Sequence, residues 1–218
     1  MSSTTEDYLK RIFVASEGSG GKLVALGELA QSLDVTPGTV TTMMKYLAEA
    51  GLVEYRPRAG VLLTDVGRRE ALEVVRRHRL IELFLVEILG LDWSYVHDEA
   101  EILEHAMSGR VLDRIDELLG HPKLDPHGDP IPGMDGELPE PVGVPLVDAP
   151  VSGELEIVRV EHEEHGFLDF LKSTGLTPGA RARMTERNQA AGTVALEAGG
   201  RRTILSMQAA RKLRVRVL

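Results

Sequence analysis

The chain of 218 residues contains no cysteine. Disulfide frameworks, thiolate metal sites and cysteine nucleophiles are therefore excluded, and any metal site must use imidazole, carboxylate, amide or water. The same absence suits a reducing cytosol. Aromatic residues make up only 4% against a hydrophobic share of 43%, a Leu- and Val-rich balance that fills helices and small sheets. No apolar run approaches the roughly 18–20 residues of a membrane span. The start, Met1-Ser-Ser-Thr-Thr-Glu-Asp, lacks the basic-then-apolar order of a signal peptide. The expectation is a soluble cytoplasmic protein with no membrane partner. Cations are outnumbered, giving a formal charge of −9; this excludes a general polycation but not a local basic surface for nucleic acid.

What is present divides into segments. Residues 4–17 place Tyr8, Leu9, Ile12 and Phe13 at helical spacing, with Thr4 or Thr5 available as a cap. Two further short helices follow, at 25–33 and from Pro37 to Gly51, separated by a tight turn. In the second, Val40, Met43, Met44 and Leu47 point inward and Thr39, Thr41, Thr42 and Lys45 outward, with Pro37 in the first turn where a helix tolerates it. Residues 52–64 read as two short strands around a turn holding Arg56, Arg58 and Gly60. Helix, turn, helix and basic hairpin is the order of a winged helix-turn-helix, whose second helix enters the major groove while the hairpin follows the backbone.

From Asp65 to Leu119 the chain is strongly helical and carries more apolar surface than one helix pair can bury, which a homodimer would cover. Prolines concentrate in 120–150, where regular structure should stop. Beyond Val151, alternating runs separated by glycine turns, with a short helix around Phe167–Ser173, predict a small β-barrel. The expected fold is mainly α with a small β component. Its predicted domains are 1–70 (winged helix-turn-helix), 71–136 (helical, metal-binding and dimerising), 137–150 (Pro-rich linker) and 151–218 (barrel).

His78 and Glu82 lie one helical turn apart, and His97, Glu101, Glu104 and His105 fall at i, i+4, i+7 and i+8. On a helix these four share a face, so imidazoles and carboxylates converge as a borderline cation requires. Solvated helix faces give the same spacing, and spacing alone leaves both readings open.

The motifs Thr5-Glu-Asp-Tyr-Leu-Lys-Arg-Ile, Ala48-Glu-Ala-Gly-Leu-Val, Leu63-Thr-Asp-Val-Gly-Arg, Arg76-Arg-His-Arg-Leu-Ile-Glu-Leu-Phe-Leu, Val96-His-Asp-Glu-Ala-Glu-Ile-Leu-Glu-His and Pro126-His-Gly-Asp-Pro-Ile-Pro follow in order. Together they resemble the diphtheria-toxin-repressor and manganese-transport-regulator family of metal-dependent repressors, over roughly residues 4–133. The C-terminal barrel looks like that family's SH3-like, FeoA-type domain. The resemblance implies a homodimeric transcriptional repressor, not an enzyme, that binds double-stranded operator DNA with a metal ion as corepressor and controls metal-uptake genes. By matching positions it implies one metal site of Asp7, Glu101, Glu104 and His105, and a neighbouring one of His78, Glu82 and His97. Glu163 is the best match for a ligand from the barrel, with His165 beside it; His121, His127 and His162 match no role, and His127 reads as a turn residue.

Carboxylates at 7 and 101, where iron-responsive members carry Met and Cys, imply Mn²⁺ first and Fe²⁺ as the alternative, at two sites per subunit. Lys10 stands where short manganese regulators have a ligating Glu, and a cation cannot ligate. The implied DNA contacts are Thr36, Pro37, Thr39, Thr41, Thr42 and Lys45 on the recognition helix, with Arg56 and Arg58 on the wing. A dinuclear metal hydrolase is the alternative from another class, since such clusters can also activate water.

Overall fold

The computed structural model describes residues 1–18, 22–140, 142–161 and 164–218. The chain divides into two compact units, Met1–Arg77 with Pro132–Leu138, and His78–Ile131 with Pro139–Leu218.

The first unit opens with α1 (Ser3–Gly18), α2 (Leu26–Ser32) and α3 (Pro37–Glu49). The cap of α1 is Ser2, whose Oγ accepts from the Thr5 amide at 3.3 Å; Thr5 itself is buried, which corrects the assignment of Thr4 or Thr5 to that role. Thr36 caps α3 by accepting from the Thr39 amide, and Pro37 occupies the first turn, where its missing N–H costs nothing. Val40, Met44 and Leu47 are buried, while Met43 is half-buried. They meet Leu9, Ile12 and Phe13 of α1, Leu29 of α2 and Leu72 and Val75 in one core. Helix α3 stops at Gly51, whose φ of 73° lets the Leu52 amide turn back to the Leu47 carbonyl at 2.9 Å.

Strands β1 (Val53–Arg56) and β2 (Gly60–Leu63) pair antiparallel, Val53 opposite Leu63 and Arg56 opposite Gly60. Helix α4 (Asp65–Glu87) begins in this unit. A Cβ on its Gly67 would stand 1.9 Å from the Leu52 carbonyl oxygen, so only glycine lets the helix start this close to the hairpin.

In the second unit, α4 beyond Arg77 packs Ile81 and Leu85 against Val96 and Ala100 of α5 (Val96–Leu103). Leu80 packs with Ile115 of α6 (Gly109–Leu118) and Ile131. Ile102, Val111 and Leu118 remain exposed on α5 and α6.

The C-terminal sheet has the order β3-β8-β4-β5-β6-β7, all antiparallel. Its strands are β3 (Val144–Pro145), β4 (Glu154–Val160), β5 (Arg181–Asn188), β6 (Thr193–Ala198), β7 (Arg201–Ser206) and β8 (Leu213–Val217). Register shifts at Ile157/Arg159 and Met184/Glu186 bend it around Leu155, Ile157, Met184, Leu196 and Val215. Helices α7 (His165–Thr174) and α8 (Met207–Arg211) complete it. Leu146, inside the Pro-rich stretch, is fully buried in this core.

Trp93, from the α4–α5 loop, is buried among the barrel residues. Ser94 Oγ, beside it, lies 2.7 Å from Asp169 Oδ1 of α7, and Lys172 of α7 pairs with Asp92. The Lys172 hydrogen bond is the chief reason that the Asp92 carboxyl is lowered to about 2.

Candidate metal centres

One turn of α4 separates His78 from Glu82, and one turn of α5 separates His97 from Glu101, so two i,i+4 pairs face each other across the helix contact. His78 Nε2 lies 2.9 Å from Glu82 Oε1 and 3.0 Å from His97 Nδ1; His97 Nδ1 lies 3.2 Å from the same Glu82 oxygen. Glu101 Oε1 is 3.4 Å from His97 Nε2. On the other side of the His78 ring, Nδ1 donates to Glu104 Oε2 at 2.6 Å, and His105 Nε2 is 3.4 Å from Glu104 Oε1.

His78, Glu82 and Glu104 are buried. A buried carboxylate persists only with a cation or a proton beside it. Burial pushes the Glu82 carboxyl upward, but the His78 charge, hydrogen bonds from His78 and His97, and the more distant His127 outweigh it and hold the group well below the usual carboxylate range. His78, His97 and Glu101 each offer a ligand atom, all within 4.8 Å of one another. The four residues from His97 to His105 do not share one helix as expected. Helix α5 ends at Leu103, and Glu104 is its C-cap, held by its amide on the Ala100 carbonyl at 2.9 Å.

A second group was not legible as such. Glu82, Asp125 and His127, all buried, offer ligand atoms within 4.8 Å of one another. Asp125 folds its own loop: Oδ1 accepts from the amides of His127 at 2.8 Å and Asp129 at 2.9 Å. Burial, then the charges of Asp129 and Glu82, raise the Asp125 carboxyl well above its usual range, against the pull of Arg79. His127 lies in a turn, as read from the sequence, but its side chain is also buried, with its ring on Trp93 and Nε2 donating to the Trp93 carbonyl at 3.0 Å. The signal that could have found this group is Asp125-Pro-His-Gly-Asp, where every second residue is a potential ligand.

Asp7 sits half-buried on α1, and Lys10, on the same helix, is buried. His165 Nε2 lies 3.3 Å from Asp98 Oδ2, and the exposed His121 pairs with the buried Asp116. Glu163 and His162 lie outside the described residues.

On α3, Thr36, Pro37, Thr39, Thr42 and Lys45 are exposed and Thr41 half-buried. Thr41 Oγ1 donates to the Pro37 carbonyl at 2.8 Å and Thr42 Oγ1 to that of Gly38 at 3.1 Å. Both hydroxyl protons are therefore engaged in the helix, and what these residues offer outward is an oxygen lone pair and a methyl. On the hairpin, Arg56 pairs with Glu54 at 3.2 Å with both side chains largely exposed, and Arg58 takes a left-handed φ of 67° at the tip.

The model of the iron-dependent repressor N-terminal DNA-binding domain matches residues 1–61, and that of the iron-dependent repressor metal-binding and dimerisation domain matches 64–133. The chain belongs to the iron-dependent repressor family. A FeoA domain model matches residues 144–217 of this family member. The chain is 36% identical over 190 residues to the iron-dependent repressor IdeR of Mycobacterium tuberculosis, covering 82% of each protein. It is 37% identical over 150 residues to the diphtheria toxin repressor of Corynebacterium diphtheriae, covering 69% of this chain and 63% of that one. Among solved structures, a manganese-dependent transcriptional repressor in complex with manganese superposes with a TM-score of 0.88 at 39% identity, covering 98% of this chain and 100% of that one. ScaR with bound Cd²⁺ gives 0.84 at 35%, covering 98% and 99%. Among the described residues, no helix is long and apolar enough to cross a membrane.

Proposed function

We propose that this chain is a homodimeric, DNA-binding transcriptional repressor that uses Mn²⁺, with Fe²⁺ as the alternative, as corepressor at two sites per subunit and controls metal-uptake genes. The observation that carries it is the meeting of the buried His78 and Glu82 with the half-buried His97 and Glu101 in a chain whose N-terminal helices form a winged helix-turn-helix. The donors are nitrogen and carboxylate oxygen without sulfur, a set that suits Mn²⁺ and other borderline or hard divalent ions. A bound divalent ion supplies positive charge that protons otherwise provide.

The chain's own residues do the rest. His78 stands between the Glu82 and Glu104 carboxylates, which only accept, so a metal ion held at Nε2 would take the place of a proton there. The Glu104 hydrogen bond at Nδ1 would orient the ring for that role. One of the two sites is His78, Glu82 and His97, which Asp125 and His127 extend through their shared neighbour Glu82. The family resemblance adds Asp7 of α1 to Glu101, Glu104 and His105, and makes its carboxylate the link through which metal orders the DNA-reading helices. Such ordering removes an entropic cost from DNA binding. Glu163 is proposed, on the same resemblance, as a ligand from the barrel. Ile102, Val111 and Leu118 supply the apolar face for the second copy.

Lys45, Arg56 and Arg58 neutralise phosphates, while the methyls of Thr41 and Thr42 and the exposed Thr36, Pro37 and Thr39 face the groove. Fluorescence anisotropy of a labelled duplex from the chain's own promoter region, with Mn²⁺ and with EDTA, tests the reading. Metal-dependent binding is expected; equal affinity in both conditions overturns the corepressor role.

A further inference from the structure

Trp93 is the chain's sole tryptophan. It comes from the loop between α4 and α5, yet its indole is buried among core residues of the C-terminal sheet domain. The other face of this residue belongs to the second candidate metal group. The rings of Trp93 and His127 stack with centroids 5.1 Å apart and planes 30° apart, and His127 Nε2 lies 3.0 Å from the Trp93 carbonyl oxygen. A carbonyl only accepts, so Nε2 carries the proton, and a neutral His127 keeps its lone pair on Nδ1. The segment after α6 that carries His127 is itself fastened to the sheet domain, because the Val160 amide of β4 donates to the His127 carbonyl at 2.9 Å. Arg159 of β4 also pairs with Asp129, whose amide is held by Asp125.

We propose that Trp93 is the positioning residue of the Glu82–Asp125–His127 group, fixing the tautomer and plane of His127, so that seating of the C-terminal domain on Trp93 and metal binding at that group strengthen each other. This rests on the reading of the group as a metal site. Backbone and ring act together: the carbonyl selects the tautomer, and the indole, clamped in the sheet core, holds the ring that presents Nδ1. Partners of this kind tune metal affinity by about 10–100-fold.

The test uses the full-length protein titrated with MnCl₂, following Trp93 fluorescence and, in parallel, bound metal by equilibrium dialysis. Saturable quenching is expected in step with the filling of one site. His127→Ala keeps the fluorophore and should lose that quenching together with one equivalent of bound Mn²⁺. Trp93→Ala should weaken one site by about 10–100-fold and speed proteolysis between residues 136 and 150. Trp93→Phe keeps a stacked ring and the carbonyl, and removes an indole N–H that is buried with no acceptor among the described residues, so it should restore affinity to within about threefold of the parent. Two Mn²⁺ bound with unchanged Trp93 fluorescence would overturn the proposal, as would a folded Trp93→Ala protein of unaltered affinity. Should Trp93→Ala fail to fold, the comparison of the parent with His127→Ala still decides. Absence of any bound Mn²⁺ overturns the metal reading itself along with the proposal, whereas intact Mn²⁺-dependent DNA binding with an indifferent Trp93 overturns the proposal alone.

Discussion

Replacing Glu82 with Gln in the metal-free protein isolates the electrostatics of the buried centre. Glu82 is almost completely buried and its Oε1 faces both His78 and His97, at 2.9 and 3.2 Å. Glutamine keeps the shape and one acceptor but removes the charge that faces His78 and His97, while the hydrogen bond from His78 to Glu104 stays. Removing one partner of a buried pair costs about 3–5 kcal/mol, and the retained acceptor places Glu82→Gln at the low end, about 3 kcal/mol. For a chain of this size that corresponds to a melting temperature lower by about 6–12 °C.

The pH dependence carries the more specific signature. The folded-state pKa of Glu82 lies well below its unfolded value, so its stabilisation is fully present above the usual carboxylate range and is lost as pH falls through the folded value. The gap between Glu82→Gln and the parent should therefore be widest near pH 7 and shrink below about pH 4. Thermal melts in EDTA, read by circular dichroism and by Trp93 fluorescence, measure both quantities. Equal melting temperatures at pH 7, or a gap that does not change with pH, would refute the assignment of charge to this cluster.

Three other outcomes follow from the same geometry. Asp125 has a raised pKa, so its cost to the metal-free fold appears as pH rises above the usual carboxylate range; Asp125→Asn keeps the acceptor for the amides of His127 and Asp129 and should raise the melting temperature in EDTA at pH 7–8 while weakening Mn²⁺ binding at its group by at least about tenfold in dialysis. Gly67→Ala drives a Cβ into the Leu52 carbonyl and should destabilise the N-terminal unit by about 1–3 kcal/mol in urea unfolding. Leu118→Glu, on the exposed face of α6, should shift sedimentation toward the monomer and lower operator affinity, with the circular dichroism spectrum unchanged.

The N-terminal module was legible because its signals are local: a Thr-Pro start to α3, apolar residues every three to four positions, and a glycine stop. The α4 half of the candidate cluster was equally visible, since His78 and Glu82 are one turn apart on a continuous helix. Periodicity misled at Glu104 and His105, where the pattern runs past the end of α5 into a turn. Asp125 and His127 escaped because an Asx-type loop and burial against Trp93, 34 positions away in sequence, put them at the centre, and neither leaves a periodic trace. Strand β7 leaves little periodic signal for a related reason: it is an edge strand, opens with Arg201 and Arg202, and shows only Thr203 and Leu205 to the core.

The central claim, that metal and DNA binding are coupled, is tested most directly by calorimetric titration of Mn²⁺ into the free protein and into its complex with operator duplex. Linkage requires the metal affinity to rise in the complex by the same factor by which saturating Mn²⁺ raises operator affinity. Identical Mn²⁺ affinities with and without DNA would contradict it.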